Sequence, residues 1–292
     1  MIFIVAIPLI IMFVLLLPRF NHLAFNILVV LFTALGAAEL SVIFTHKLVN
    51  AEKTQPVSKR GISRIAAAVL GALPAASTTL AVCFGFNALV VPAGFAAAVL
   101  WLLVSRVFSR GEALDAFIIR LAAGFAVLIY PGFLMTWLVR MSGWENAGVI
   151  ILTFVFTVFA SDATAWLTGM LWGKRNRGII PASPNKSVAG FAGGAFGSIV
   201  IGVSAVLFQP EVFTLRCAVP GGAVAVGAFL GLLTGITAML GDLAESAIKR
   251  SSGTGDSGNI IPGRGGVLDS IDSVAFAAPV FYLVGRLFFA FS

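Results

Sequence analysis

The chain has 292 residues, of which 59% are hydrophobic and only 11% are charged, and its mean hydropathy is +1.04. A soluble domain carries about 25% charged residues, so this composition excludes an ordinary soluble protein. The net charge of +7 comes from basic residues dispersed among loops rather than gathered on a soluble domain, which argues against nucleic acid as a partner.

Apolar runs of membrane-spanning length fill most of the sequence. A transmembrane helix needs about 20 apolar residues, and a helix satisfies its own backbone hydrogen bonds in lipid. The pattern therefore predicts an all-α, polytopic integral membrane protein with about nine transmembrane helices. The predicted spans are Ile2–Leu17, Ala24–Thr45, Ile65–Phe84, Ala88–Val104, Ala116–Val139, Val149–Trp172, Val188–Phe208, Ala223–Leu240 and Val274–Phe291. The first is interpreted as a helix rather than a signal peptide, because no basic segment precedes it.

Basic residues are distributed unevenly between the two sets of alternating loops. One side carries 14 of the 19 lysines and arginines, whereas the loops of the other side carry Arg19, Arg140 and Arg216. The positive-inside rule assigns the richer side to the cytoplasm. We therefore expect the 174–187 and 241–273 loops to face the cytoplasm from the cell inner membrane.

Candidate site residues are concentrated in the second half of the chain. Residues 1–110 are interpreted as N-terminal transmembrane helices, and residues 111–292 as a C-terminal transmembrane catalytic domain with cytoplasmic motif loops. Glu39 is a lone acid within an N-terminal span, and we interpret it as a polar contact between helices or an interfacial residue. Cys83 and Cys217 form no metal-binding pattern and are interpreted as packing residues.

The segment 241–273 interrupts the hydrophobic pattern with acids, cations and glycines. It holds five of the twelve acidic residues, and its charged residues are Asp242, Glu245, Lys249, Arg250, Asp256, Arg264, Asp269 and Asp272. Carboxylate oxygens suit Mg²⁺, which typically binds through one or two carboxylates plus substrate phosphates. Glycine-rich segments with free backbone N–H groups can wrap a phosphate chain. The segment therefore predicts a site for a nucleotide and magnesium.

Two features precede this segment. Asp162 is a carboxylate in an otherwise apolar span, where a cost of at least about 2.5 kcal/mol must be offset by a cation, a metal or protonation. We therefore assign Asp162 a functional role. The glycines at positions 190, 193, 194 and 197 fall on one helical face, and they predict close packing of helix backbones.

At these residues the sequence resembles a known family, the phosphatidate cytidylyltransferases (CDP-diacylglycerol synthases). The resemblance to the family signature is carried by Ser246, Lys249-Arg250, Asp256, Gly258, Pro262-Gly263, Gly265-Gly266, Asp269 and Asp272. The resemblance to the preceding motifs is carried by Asp162, Ala165-Trp166, Gly169, Gly173-Lys174, Ser183-Pro184, Lys186-Ser187, Gly241-Asp242-Leu243 and Glu245. It covers about residues 162–273, and the order and spacing of the motifs are specific.

This resemblance implies an enzyme of phospholipid biosynthesis that joins CTP and phosphatidic acid to give CDP-diacylglycerol and pyrophosphate. It implies Mg²⁺ as cofactor and, in some members, a potassium ion. Carried over by position, Asp242 and Asp256 would be metal ligands, and with Lys249 and Arg250 they would be the catalytic residues. The implied substrate-binding residues are Asp162, Ser183, Lys186, Ser187, Glu245, Ser246, Gly263, Arg264, Gly265, Gly266, Asp269 and Asp272. The expected partners are CTP, phosphatidic acid and membrane lipids, with a homodimer left open.

The chain departs from the family pattern at four positions. Family members usually carry an acid at the position of Ala189, lysine at Gly255, histidine at Arg264 and arginine at Ser270. These departures leave open a non-catalytic relative or one with an altered substrate that binds lipid or nucleotide. A CDP-alcohol phosphotransferase is disfavoured because its Ala-Arg pair is missing beside Asp269 and Asp272. A membrane transporter, which would place its polar residues at mid-membrane on broken helices, is disfavoured because they gather at predicted helix ends here.

Overall fold

The computed structural model describes residues 19–51, 62–105, 107, 117–258, 261 and 265–291. Within these ranges the regular structure is helical, and pairing of extended backbone is limited to isolated bridges. The helices are α1 (Arg19–Ala51), α2 (Arg64–Phe84), α3 (Val90–Val104), α4 (Phe117–Val127), α5 (Leu134–Met141), α6 (Ala147–Trp172), α7 (Val188–Phe208), α8 (Gly222–Ser252) and α9 (Leu268–Phe288). A π-helical turn at Leu128–Phe133, which contains Pro131, joins α4 to α5. The predicted all-α class is confirmed.

Seven described helical segments are long and apolar enough to cross a membrane. They are Phe20–Thr45, Arg64–Phe84, Arg120–Met141, Ala147–Arg175, Val188–Phe208, Gly222–Ser252 and Leu268–Phe288. Helix α3 is apolar but has only 15 residues. The predicted multi-pass membrane fold is confirmed, whereas the count of nine stays a prediction, because Ile2–Leu17 lies outside the described residues.

Helix α8 is longer than the predicted span Ala223–Leu240, because it continues without interruption to Ser252. The added residues include the good helix formers leucine, alanine, glutamate and lysine, and they contain no proline. Gly253 follows with a φ of 75°, a left-handed conformation that ends helices and that glycine adopts without steric cost. The connection between α8 and α9 is therefore much shorter than the 241–273 loop that the sequence predicts.

The chain forms two compact units. Apart from the residues before Leu17, the first unit contains Leu17–Arg140 and Ile248–Ile271, and the second contains Met141–Ala247 and Asp272–Ser292. The units are thus interleaved along the chain, and the C-terminal end of α8 belongs to the first unit. The predicted division of the chain at residue 110 is based on where the sequence motifs lie, whereas these units are defined by compactness. The division stays a prediction.

In the first unit, small residues allow α1, α2 and α3 to pack closely. A Cβ added to Gly71 of α2 would overlap Ala37 of α1, and one added to Gly94 of α3 would lie 2.5 Å from the Ser77 hydroxyl of α2. Helix α2 begins at a capped end, because the Ser63 side chain accepts a hydrogen bond from the backbone N–H of Ala66 at 3.2 Å.

In the second unit, the glycine face of α7 packs against α6, as the spacing predicts. A Cβ at Gly193 would overlap Thr168, and one at Gly197 would overlap Thr164. A Cβ at Gly190 would lie 3.0 Å from the carbonyl oxygen of Ala165. The interpretation of this stripe as a packing surface is confirmed.

Candidate active site

In the second unit, the structure brings together two predicted site residues, Lys186 and Asp242. The Lys186 Nζ donates a hydrogen bond to Asp242 Oδ2, although the residues are 56 positions apart. The side chains are 24% and 39% exposed, so the ion pair remains accessible to solvent. A predicted phosphate ligand and a predicted metal ligand therefore share one accessible position.

Lys186 is held by a tight turn immediately before α7. Its backbone N–H donates to the carbonyl of Ser183 at 3.1 Å, and the N–H of Gly178 donates to the carbonyl of Pro184 at 2.9 Å. The next residue, Ser187, caps α7, because its buried hydroxyl accepts a hydrogen bond from the N–H of Gly190 at 3.1 Å. Ser183 and Ser187, both predicted to bind substrate, thus contribute to the geometry that positions Lys186.

In the first unit, the structure pairs Lys249 with Asp269. The Lys249 Nζ donates to Asp269 Oδ1 at 2.5 Å, and the side chains are only 14% and 7% exposed. Asp269 Oδ2 also accepts hydrogen bonds from the Gly266 N–H at 2.6 Å, the Ser257 N–H at 3.1 Å and the Ser257 hydroxyl at 2.7 Å. Asp269 therefore holds the end of α8, the following loop and the start of α9 in one arrangement.

A second carboxylate, which the sequence did not assign to the site, stabilises the same loop. Glu39 of α1 is 7% exposed, and it accepts hydrogen bonds from the N–H groups of Val267 at 3.0 Å and Leu268 at 2.8 Å. These groups belong to the N-terminal end of α9, where backbone N–H groups lack partners within the helix and the helix dipole favours an anion. The expectation of a polar contact between helices is confirmed. In the sequence, the role of Glu39 is indicated only by its position as a lone acid within an apolar span.

Ser257 lies between the two carboxylates. Its hydroxyl oxygen is 2.7 Å from Asp269 Oδ2 and 3.3 Å from Glu39 Oε2. A hydroxyl has one proton to donate, and the shorter distance assigns it to Asp269. Lys249 and four backbone N–H groups offset the negative charge of Glu39 and Asp269. These N–H groups belong to Ser257, Gly266, Val267 and Leu268.

Three glycines of this loop leave room for the two carboxylates. A Cβ at Gly258 would lie 2.6 Å from Glu39 Oε1, and a Cβ at Gly266 would overlap both Glu39 and Ser257. Gly265 has a φ of 103°, and its Cβ would lie 2.6 Å from Asp269 Oδ2. Gly265 and Gly266, which the family resemblance assigns to substrate binding, lie against protein carboxylates, and their contact with substrate stays a prediction. Gly263 and Arg264 lie outside the described residues.

Two predicted site residues of the first unit, Asp256 and Arg250, are exposed at or beside this loop. Asp256 is exposed and lines a cavity, in contrast to the buried Asp269. Arg250 is exposed in the last turn of α8. Because these two side chains are hydrated, Asp256 can bind a metal ion and Arg250 a phosphate with little loss of solvation free energy. The buried residues Glu39 and Asp269 already have protein partners.

The remaining predicted residues belong to the second unit. Asp162 is half-buried on α6, and on α8 Glu245 is buried and Ser246 is half-buried. Asp272 is buried in the first turns of α9, and its carboxylate accepts a hydrogen bond from the Ser273 N–H at 2.5 Å. Its backbone carbonyl would lie 2.5 Å from a Cβ on Gly241, so Gly241 allows α8 and α9 to approach closely beside Asp242.

The described part of the chain contains no group of three or more histidine, cysteine, aspartate or glutamate residues that could hold a metal ion. Such a group is not required for Mg²⁺, which takes one or two protein carboxylates and completes its coordination with water and substrate phosphates. Asp242 in the second unit and Asp256 in the first unit each have a carboxylate that is accessible to solvent. In this structure, the positive charge beside Asp242 is the ammonium group of Lys186.

The structure describes three of the four positions that depart from the family pattern, and nothing in it explains why these residues replace the usual ones. A Cβ added at Gly255 would have no heavy atom within 4 Å, so a side chain would fit there. The Ser270 hydroxyl donates to the carbonyl of Gly266 at 3.4 Å. At Ala189, the carbonyl accepts a hydrogen bond from the Thr168 hydroxyl at 3.0 Å. The fourth, Arg264, lies outside the described residues.

Known proteins that are similar in sequence to this chain are cytidylyltransferases, the family that these motifs indicate. A sequence profile of the cytidylyltransferase family matches residues 1–288. Three relatives named phosphatidate cytidylyltransferase show local identity. The Brucella abortus protein is 38% identical over 165 residues, which are 56% of this chain and 57% of the relative. The Synechocystis protein is 39% identical over 137 residues, 46% of this chain and 43% of the relative.

The Bacillus subtilis relative is 34% identical over 179 residues, which cover 56% of this chain and 59% of that protein. The pairwise alignments thus span about half the length of the relatives, between 43% and 59%. The family profile extends further, from residue 1 to residue 288. On the strength of that match over nearly the whole sequence, the chain belongs to the cytidylyltransferase family.

Proposed function

We propose that this protein joins CTP and phosphatidic acid to give CDP-diacylglycerol and pyrophosphate. The observation that carries the proposal is the family match over residues 1–288. The name shared by the relatives, phosphatidate cytidylyltransferase, supports this specific reaction. The motif residues support it physically, because exposed carboxylates and cations accompany buried acids that hold the loop. The family match does not favour a transporter or a non-catalytic relative.

The chemistry needs no protein nucleophile. An oxygen of the lipid phosphate forms a bond to the α-phosphorus of CTP, the bond from that phosphorus to the bridging oxygen breaks, and pyrophosphate leaves with the electron pair. Catalysis of such a transfer is mostly positioning and neutralisation of charge. Lys186 and Arg250 are accessible cations for the phosphates. Lys249, which is held by Asp269, contributes positive charge from a fixed position.

In this proposal, Asp242 and Asp256 are the carboxylates available to Mg²⁺, which would neutralise phosphate oxygens when bound. Asp242 would exchange its bond with Lys186 for the metal, which would release the lysine to a phosphate. Asp256 is exposed and needs no rearrangement of a protein partner. A potassium ion stays a prediction from the family resemblance.

The protein would lie in the cell inner membrane with a defined orientation. The apolar helices and the bacterial relatives support a multi-pass protein of the inner membrane. The site loops would face the cytoplasm, where CTP is available, as the distribution of basic residues predicts. A homodimer remains an open prediction.

The direct test is an assay of the purified, detergent-solubilised protein with radiolabelled CTP, phosphatidic acid and MgCl₂. We expect a lipid-soluble cytidine product and an equal amount of pyrophosphate. Reactions without Mg²⁺, and with phosphatidylglycerol in place of phosphatidic acid, serve as controls and should give no product. Absence of product from wild-type protein that unfolds cooperatively would contradict the proposal.

A further inference from the structure

A cavity of about 590 Å³ in the first unit has a lining divided by polarity. Helix α1 contributes the apolar residues Leu35, Ala38 and Val42, while α2 contributes Arg64 and the loop after α8 contributes Asp256. The volume lies in the range of roughly 300–1,000 Å³ that is typical of small-molecule sites. The lining therefore offers a charged end and an apolar wall to one ligand.

The two ends of the cavity correspond to different depths in a membrane. The apolar membrane segment of α1 ends at Thr45, and that of α2 begins at Arg64. From Val42 to Leu35 the apolar wall extends about 10 Å back along α1, at 1.5 Å per residue. The charged residues thus belong to the membrane boundary and the apolar wall to the membrane interior, which is the polarity profile of an amphiphilic lipid.

Arg64 gives the charged end of the cavity a group that can bind a phosphate. Glu39 also lines the cavity, but its oxygens already accept hydrogen bonds from the N-terminal end of α9. Arg64 and Asp256 are exposed. A guanidinium group can bind two phosphate oxygens with parallel hydrogen bonds. None of the described residues that line this cavity is aromatic, so it offers no stacking surface to a cytosine base.

We propose that this cavity is the subsite for the lipid substrate, in which Arg64 binds the phosphate monoester of phosphatidic acid and an acyl chain lies along Leu35, Ala38 and Val42. This inference rests on the proposed function, because that function supplies a lipid phosphate as substrate. The lipid phosphate then lies in the cavity that Asp256 lines. The N-terminal helices, which carry none of the family motifs, acquire a role in substrate recognition.

A kinetic experiment separates the two substrates. Arg64→Ala should raise the KM for phosphatidic acid about tenfold and leave the KM for CTP unchanged. Arg64→Lys should show a smaller increase, because it keeps the charge but loses the paired hydrogen bonds. The matched control is Arg175→Ala, which removes an exposed arginine of the second unit and should change neither KM. An increase confined to the KM for CTP, an equal increase in both, or no change would overturn the assignment of Arg64.

A labelling experiment tests the same subsite without catalysis. Val42→Cys is introduced into a protein in which Cys83 and Cys217 are replaced by alanine, and its reaction with N-ethylmaleimide is followed in phosphatidylcholine vesicles with and without phosphatidic acid. Phosphatidic acid should slow labelling at least about threefold, whereas CTP and inorganic phosphate should not, and Arg64→Ala should abolish the protection. Ala38→Cys provides a second reporter on the same wall.

The two experiments distinguish failure of the subsite from failure of the proposed function. Protection by phosphatidic acid without any CDP-diacylglycerol product would support the subsite and contradict the enzymatic proposal. Product formation with an unchanged KM for phosphatidic acid in Arg64→Ala, and no protection at either reporter, would overturn the subsite and leave the function intact. Protection by inorganic phosphate alone would assign the charged end to a free phosphate instead of a lipid.

Discussion

Glu39 accepts a hydrogen bond from the backbone N–H of Leu268 at 2.8 Å, although 229 residues separate the two in sequence. Through this bond and the one from Val267, the first described helix supports the start of the last one. The segment between α8 and α9, which carries Asp256, is therefore held by a side chain far from every family motif. This relationship makes the motif loop dependent on the N-terminal helices.

Glu39→Ala should destabilise the protein and lower its activity. The substitution leaves two backbone N–H groups of a buried helix end without an acceptor, a cost of about 1–3 kcal/mol for each buried group. Glu39→Gln keeps one carbonyl oxygen and should have a smaller effect. Thermal unfolding in detergent and kcat measure the change. Glu145→Ala, which alters an exposed acid, is the control; equal unfolding temperatures for Glu39→Ala and this control would contradict the prediction.

The Lys249–Asp269 and Lys186–Asp242 ion pairs should differ in how much they contribute to the free energy of unfolding. Lys249→Met leaves Asp269 buried without its cation and should cost about 3 kcal/mol of unfolding free energy. Lys186→Met breaks a pair that is more exposed and should cost less than about 1 kcal/mol, while it lowers CTP turnover strongly. Unfolding in detergent and enzyme kinetics check both. Similar losses of stability in the two variants would show that the exposure of the pairs does not govern their energetics.

Asp256→Asn and Asp242→Asn should remove activity with little loss of stability. Both side chains are accessible to solvent, so the fold depends on them less than on Asp269. Loss of a charged oxygen donor should raise the Mg²⁺ concentration needed for half-maximal activity by about tenfold or more. Glu211→Gln changes an exposed acid outside the motifs and serves as control. Wild-type turnover at low Mg²⁺ in both aspartate variants would refute the metal assignment.

Alanine should lower the stability of the protein at one glycine of this loop region and leave it unchanged at another. Gly266→Ala forces a Cβ into Glu39 and Ser257, so we expect a loss of roughly 1–3 kcal/mol and a weakened cap on α9. Gly255→Ala meets open space and should be neutral within about 0.5 kcal/mol. The measurement is thermal unfolding of both variants in the same detergent. A tolerant Gly266 would mean that the carboxylates move away from the loop.

The orientation of the site loops can be tested by cysteine labelling. Asn185 and Gly255 are exposed, so a cysteine at either position can react with an impermeant maleimide once the reagent reaches that side. In protein without Cys83 and Cys217, we expect labelling in inverted vesicles and none in intact cells, because basic loops are retained in the cytoplasm. Labelling of intact cells at both positions would reverse the predicted topology.

Much of the architecture is determined by local sequence. A run of about 20 apolar residues has one stable outcome in lipid, a helix with internal backbone hydrogen bonds, so the spans and the all-α class follow from composition. The glycine spacing in α7 likewise predicts its packing face, because side chains of one helix have fixed angular positions. The family motifs indicate the chemistry, because metal and phosphate binding require particular side chains.

Only the tertiary structure decides which charges are neutralised by the protein and which remain accessible. Lys249 and Asp256 are both predicted to contact substrate or metal, yet the half-buried Lys249 is paired with Asp269 and Asp256 is exposed. Glu39 acquires its role from the packing that brings α1 to the start of α9. Burial and partner depend on contacts between segments distant in the chain, and the free energy of a charge changes with both. No local pattern around Glu39 or Asp269 contains that information.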